Sequence, residues 1–176
     1  EKKCVGINVD GALTIGGGTL NATIDGNSII ANTLTIDNAT LNSISTRVNI
    51  SLNRDGIISN SKVFAKGGSP VIAIGYGYEL KITNSTVVIQ SEDSSYGICY
   101  PSVINIDEKS VLEISVSECA IENTITVHYS QNCVVYAGEN KENAQLVVEP
   151  DDTTYENKYV KIAPIRKVTV NYGTSE

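Results

Sequence analysis

Short runs of alternating apolar and polar residues recur along this chain at a nearly constant interval. Five segments share one order, an Ile, a short polar turn and a second apolar residue: Ile15-Gly-Gly-Gly-Thr-Leu20, Ile36-Asp-Asn-Ala-Thr-Leu41, Ile58-Ser-Asn-Ser-Lys-Val63, Ile82-Thr-Asn-Ser-Thr-Val87 and Ile106-Asp-Glu-Lys-Ser-Val111. Their leading Ile residues step by 21, 22, 24 and 24 positions, and a weaker sixth copy, Tyr129-Ser-Gln-Asn-Cys-Val134, follows after 23. A third apolar position keeps the same phase. Ile29, Ile50 and Ile72 come nine residues after Leu20, Leu41 and Val63; Ile98 comes eleven after Val87, Ile121 nine after Leu112, and Ile7 eight before Ile15. Self-similarity at a fixed period marks a repeat architecture. Three apolar anchors in each repeat of about 22 residues predict three short strands per turn of a solenoid.

Inside the strands the period is two. Leu13-Thr-Ile15, Leu34-Thr-Ile36 and Leu80-Lys-Ile82 place their outer residues inward, as do Val63/Ala65 and Val87/Ile89. In the fifth copy the parity moves by one, to Leu112/Ile114/Val116, which predicts an extra residue in that turn as a local bulge. Asn38, Asn60 and Asn84 each stand two residues after the anchor Ile, and Gly17 fills that slot in the first copy. Gly and Asn tolerate positive φ, so the corner is expected to need a left-handed residue, with Asn side chains bonding from coil to coil. Glu108 and Gln131 break the pattern, and the ladder is expected to end there. A β-sandwich also spaces its strands by about 8–12 residues, but it does not require three registers to hold phase over five copies. The expected fold is therefore all-β, a single-stranded parallel β-helix of about 5–6 coils of 21–24 residues with a C-terminal capping segment. The hand follows the right-handed bias of parallel crossovers.

Residues 1–149 are read as the solenoid, with Val5, Ile7 and Val9 ending an incomplete coil and 126–149 forming a degenerate sixth one. That last coil is read from Val127, Val134, Val135 and the run Leu146-Val-Val148. Residues 150–165 are read as a closing segment, with Tyr159-Val-Lys-Ile162 as the strand that covers the open end, because a bare terminal coil leaves strand edges unpaired. Residues 166–176, with Arg166-Lys-Val-Thr-Val-Asn-Tyr-Gly173, read as the start of a following module or linker.

Composition narrows the function. The 176 residues include 17 Asn, no Met and no Trp, and the net charge is −7. An acidic chain lacks the basic face a phosphate backbone needs, so no nucleic-acid partner is expected. No run of about 18 apolar residues exists, so membrane insertion is not expected, and the N-terminus lacks the order of a signal peptide. The missing Met is read as the mark of a piece cut from a longer chain. Cys4, Cys99, Cys119 and Cys133 form no C-x-x-C pair and have no His at zinc spacing; two disulfides and four free thiols remain equally compatible with them.

Residues 10–125 resemble the β-helical carbohydrate-binding domains of secreted clostridial and gut bacterial surface proteins. The resemblance rests on Gly11-Ala-Leu-Thr-Ile-Gly-Gly-Gly-Thr-Leu20, on Ala31-Asn-Thr-Leu-Thr-Ile-Asp-Asn-Ala-Thr-Leu41 and on the repeated L-x-I-x-x-x-T-L phrasing. It implies a secreted or cell-surface protein that binds plant polysaccharide, partly through calcium. Copies of that family carry an Asp-Gly-Ile step before the third strand. Here the step reads Gly26-Asn-Ser-Ile29, Arg47-Val-Asn-Ile50 and Ser69-Pro-Val-Ile72, so the calcium sites do not carry over and no cofactor is expected.

The remaining chemistry is sparse. Gly16-Gly-Gly18 is followed by no Lys-Ser/Thr and is read as a turn, not a phosphate loop. His128 is the only His, in an outward slot without a nucleophile beside it. The outward columns, Thr14, Thr35, Ile57, Lys81, Asn105 and His128 on one strand, and Asn21, Thr23, Asn42, Ile44, Phe64, Lys66, Val88 and Gln90 on the next, stack no carboxylates. Glycoside hydrolysis needs two, so no catalytic residues are expected. Two loops exceed the repeat length: Gly75-Tyr-Gly-Tyr78, and Ser91 to Tyr96 leading into Ile98-Cys-Tyr100. Stacked coils lie about 4.8 Å apart, so Tyr76, Tyr78 and Tyr100 are expected at one corner. The candidate ligand site is Tyr76, Tyr78, Tyr96 and Tyr100 with Glu79, Glu92 and Asp93. The expected function is non-catalytic recognition of a polysaccharide or a host or cell-wall glycan, beside adjacent modules of the same chain. The alternatives are a structural or adhesive spacer and a polysaccharide lyase or hydrolase.

Overall fold

The structure is a computed structural model that describes residues 4–92 and 96–165. It is a β-solenoid of about six turns with parallel strands. The chain enters on β1 (Cys4–Gly16), turns through Gly17 and Gly18 into β2 (Thr19–Ile24), and continues on β3 (Gly26–Asp37) and β4 (Thr40–Ser45). In β1 and β3 the third strand of one coil runs unbroken into the first strand of the next. Further on they separate: β5 (Ile50–Leu52), β6 (Gly56–Ser59) and β7 (Lys62–Lys66), then β8 (Ile72–Ile74), β9 (Glu79–Thr83) and β10 (Thr86–Gln90). The last full coils use β11 (Tyr96–Cys99), β12 (Val103–Ile106), β13 (Val111–Ser115), β14 (Cys119–Ile121) and β15 (Thr126–Tyr129).

All three predicted registers are present. Ile36, Ile58, Ile82, Ile106 and Tyr129 stack strand on strand, Leu41, Val63, Val87 and Leu112 do the same on the second face, and Ile7, Ile29, Ile50, Ile72, Ile98 and Ile121 on the third. These columns are the core, and Ile29, Ile36, Leu41, Ile82, Val87, Ile98 and Leu112 are fully buried. The fifth copy's parity change comes from an extra residue in its turn, as expected, and the strand itself carries no bulge. Asp107 to Ser110 adds one residue to the corner, and β13 then pairs with β10 without a register shift.

The corner works as its residues predict. Gly17, Asn38, Asn60 and Asn84 have φ of 68°, 52°, 49° and 46°. The Asn84 amide donates to Asn60 Oδ1 at 2.9 Å, and Asn60 donates to Asp37 Oδ1 at 3.1 Å. The ladder ends at the fifth copy, where the Asp107 carboxylate accepts the Asn84 backbone N–H instead. A second ladder runs behind it, buried and unforeseen. Ser61, Ser85 and Ser110 Oγ accept the backbone N–H groups of Ala39, Ser61 and Ser85, each from the coil before, at 3.0, 3.0 and 3.1 Å. These hydroxyls satisfy corner amides that the strands leave unpaired.

The C-terminal end departs from the repeat. The last elements are β16 (Cys133–Gly138), β17 (Gln145–Val147), the short α1 (Asp152–Tyr155) and β18 (Tyr159–Pro164). The second strand expected for a sixth parallel coil leaves the stack. β18 runs antiparallel between β13 and β16, and β17 pairs antiparallel outside them. Consequently Cys133, Val135 and Ala137 face the core, Val134 does not, and Leu146 and Val148 are exposed. Asp151 caps α1, its carboxylate accepting the Thr154 N–H at 3.0 Å. Ala120 N–H then donates to the Asn157 carbonyl, closing the last coil.

Candidate functional site

The inserted corner between β8 and β9 is built by close backbone approaches. A Cβ at Gly75 would lie 2.3 Å from the Asn53 carbonyl of the coil before, so only Gly fits there. Gly77 has φ of 84°, and its N–H donates to Ser102 Oγ on the next coil at 3.0 Å. Ser102 N–H donates in turn to the Tyr78 carbonyl at 2.9 Å. On the next coil Tyr100 follows β11 in a left-handed backbone, φ 76°, held by its N–H donating to Glu122 Oε2 at 3.0 Å. Such a conformation in an aromatic residue costs about 1–3 kcal/mol and persists only where the surroundings enforce it.

The result is a ring pair. Tyr76 and Tyr100 have centroids 5.2 Å apart and planes tilted by 45°, with Tyr76 73% exposed. The neighbouring Cys99, then burial, Glu122 and the Tyr76 and Tyr96 hydroxyls hold the Tyr100 phenol above its ordinary value, so it is a neutral hydroxyl at neutral pH. Of the other expected residues, Tyr78 is half-buried and packs on the core edge. Tyr96 is exposed at the opposite end of β11. Glu79 opens β9 directly after the corner, where its carboxylate accepts the Asn105 amide at 2.9 Å. Glu92 lies at another corner, between β10 and β11, paired with Lys66 at 2.9 Å and fully in solvent. It stands over a small cavity with Ile44, Ser45, Gly67 and Gly68, not with the ring pair. Asp93 lies outside the described residues.

From Glu79 a shallow groove of about 370 Å³ crosses the outer face of β9, β12 and β15. Lys81, Asn105 and His128 stand in register along it, as their spacing predicts. Its walls include Thr83, Asp107 and Tyr129. Glu79, which directly follows the inserted corner in the chain, begins the groove.

A different cluster lies on the β13 face. Glu113 accepts Lys141 Nζ at 2.7 Å and Lys161 Nζ at 3.0 Å, and the Tyr159 hydroxyl also bonds to it. Burial disfavours its charge, but the two lysine hydrogen bonds and their charges outweigh that and hold its carboxyl below the ordinary 4.5. The cluster borders a cavity of about 840 Å³ walled by Tyr136, Tyr159, Lys161 and Ala163. This combination of a carboxylate and two lysines was absent from the stacked columns because Tyr159 and Lys161 arrive on the antiparallel β18 and Lys141 in the turn after β16. It holds one carboxylate, not the pair that glycoside hydrolysis uses.

The thiols are quiet. Burial, then Glu122 and Cys119, push Cys99 up to about 12, and burial with Glu156 pushes Cys119 up to about 11. Cys99, Cys119 and Cys133 form no disulfide. Cys119 pairs in register with Tyr96, three positions from Cys99 along the strand. That offset is about 10 Å, beyond the reach of a disulfide. Among the described residues no group of three or more His, Cys, Asp and Glu is placed to hold a metal ion. Comparison with protein-family models, curated proteins and solved structures finds no match.

Proposed function

We propose that the protein is a non-catalytic recognition module that binds a glycan at the aromatic corner, in a secreted or cell-surface setting. The observation that supports this best is the Tyr76–Tyr100 pair: two adjacent rings of neighbouring coils, Tyr76 largely exposed and Tyr100 on left-handed backbone. Aromatic faces pack against the apolar C–H face of a sugar ring, while hydroxyls need hydrogen-bonding groups nearby. The Glu79–Asn105 pair and Lys81, in the groove that begins directly after the corner in the chain, supply such groups. Strain at Tyr100, which lies outside the buried core, fits selection for a surface contact.

The test is a glycan array on the protein and on its Tyr76→Ala and Tyr100→Ala variants, with and without calcium. Binding to a defined glycan that both variants lose supports the reading. A protein that binds no glycan under either condition overturns it and leaves the spacer in front. Binding that survives in both variants places the site elsewhere and overturns the assignment to this corner.

A further inference from the structure

The cavity of about 840 Å³ beside the Glu113 cluster belongs to the closing strands and not to the aromatic corner. Its floor is the outward face of three adjacent strands. Val111 of β13, Ala163 of β18 and Val134 of β16 are short aliphatic side chains, each half-buried, and Ala163 pairs directly with Val134. Lys161 and Tyr136 are also paired and stand two residues along, so they continue the same face. Tyr159 continues it further, only 3% exposed, with its hydroxyl bonded to Glu113. The chain between β16 and β17 adds Lys141 and Ala144 as a side wall.

The charge in this wall is one-sided. Among the described residues that line the cavity, Lys141 and Lys161 are charged and none is Asp or Glu. The carboxylates that act on Lys141, Glu113 and Glu142, both lie outside the lining. Glu113 accepts Lys141 Nζ on Oε1 and Lys161 Nζ on Oε2, which holds the two ammonium groups side by side. An ammonium has three donors. Each lysine therefore keeps N–H groups that Glu113 does not take, and one bonded carboxylate faces two positive charges.

We propose that this cavity is a second ligand site, for a small carboxylic acid whose body is a ring with an apolar face. The carboxylate accepts N–H groups of Lys141 and Lys161 and balances the second ammonium. The ring lies on Val111, Val134 and Ala163, with the Tyr136 hydroxyl beside it. Charge-assisted hydrogen bonds from two fixed donors orient a carboxylate and are stronger than neutral ones. A cationic ligand would meet only like charge in the wall. The size fits too, since small-molecule sites span about 300–1,000 Å³ and combine an apolar lining with a few placed polar groups. Two sources share this chemistry, a uronic acid and an aromatic acid. The site stands on its own observations and does not depend on the Tyr76–Tyr100 pair.

Nuclear magnetic resonance titration of the full chain with benzoate, with glucuronate and with neutral benzyl alcohol tests this. At least one acid is expected to bind with a dissociation constant of about 1 mM or tighter. Benzyl alcohol is expected to bind at least about 10-fold more weakly, because it forms no charge-assisted bond. Binding of benzoate alone identifies an aromatic-acid site, of glucuronate alone a sugar-acid site, and of both the shared chemistry. Lys141→Gln removes an exposed ammonium and keeps the Lys161–Glu113 pair, and it is expected to weaken binding about 10-fold or more. Ala163→Phe fills the floor without touching the charged cluster and is expected to abolish binding, with an unchanged circular dichroism spectrum. A protein that takes up neither acid at about 10 mM overturns the proposal. So does benzyl alcohol bound as tightly as the acids, or an acid whose binding either folded variant leaves unchanged.

Discussion

Tyr100 is the residue at which folding and the proposed function pull apart. Its left-handed backbone would suit Gly, yet the position carries a ring that stacks on Tyr76. Tyr100→Gly removes the strain and the ring together. The expected outcome is a protein more stable by about 1 kcal/mol in urea titration, because relief of the αL cost of about 1–2 kcal/mol exceeds the loss of an exposed contact and the entropy cost of Gly. Its glycan binding is expected to be lost. A ring present only as cover for the solenoid edge would give the opposite, a destabilised variant. Asn38, Asn60 and Asn84 form the contrast: their αL conformation is one Asn adopts locally, and the Asn60 and Asn84 side chains are used within the fold. For them shape and stability agree, so they mark structure and not a site.

At the scale of elements, the parallel coils were legible because each strand faces the same environment as its counterpart one coil away. Ile, Leu and Val recur at fixed spacing wherever a coil has neighbours on both sides. The closing strands have no counterpart, so periodicity carried no information about them. Val134 continued the repeat in sequence, but β18 took the place beside β13, running antiparallel to it and to β16, which is displaced one strand outward. The Glu113 cluster was hidden for the same reason, as its lysines come from positions 28 and 48 residues further on. The tyrosine corner was visible as an excess of loop length, whereas Glu92 sits beside the wrong corner because an insertion reveals that chain is added and not where it folds. The Glu113 cluster makes a pH prediction. Its carboxyl is held below the ordinary 4.5, so its stabilisation is fully present above that value and is lost as pH falls through the lower folded value. Glu113→Gln is expected to cost about 2 kcal/mol at neutral pH, since it leaves lysines and a buried phenol poorly paired. The gap to wild type, read by urea unfolding, is expected to close as pH drops below 4.5. A gap independent of pH would show that packing, not charge, gives the residue its role.

On the scale of the whole molecule, the closing segment and the parallel coils share one core. β18 pairs antiparallel with β13 and with β16, and its Val160 and Ile162 are fully buried. The Ala120 N–H donates to the Asn157 carbonyl and the Val116 N–H to the Lys158 carbonyl, so the chain that covers the last coil also satisfies its backbone. Repeats coupled to their neighbours in this way depend on the cap at their end. Ile162→Ala is therefore expected to cost about 2–5 kcal/mol and to lower the midpoint of a single unfolding transition. Urea titration followed by far-ultraviolet circular dichroism and by tyrosine fluorescence reads this, and coincident midpoints by both probes are expected. A separate early transition, seen by one probe and not the other, would show that the coils hold together without the segment that closes them.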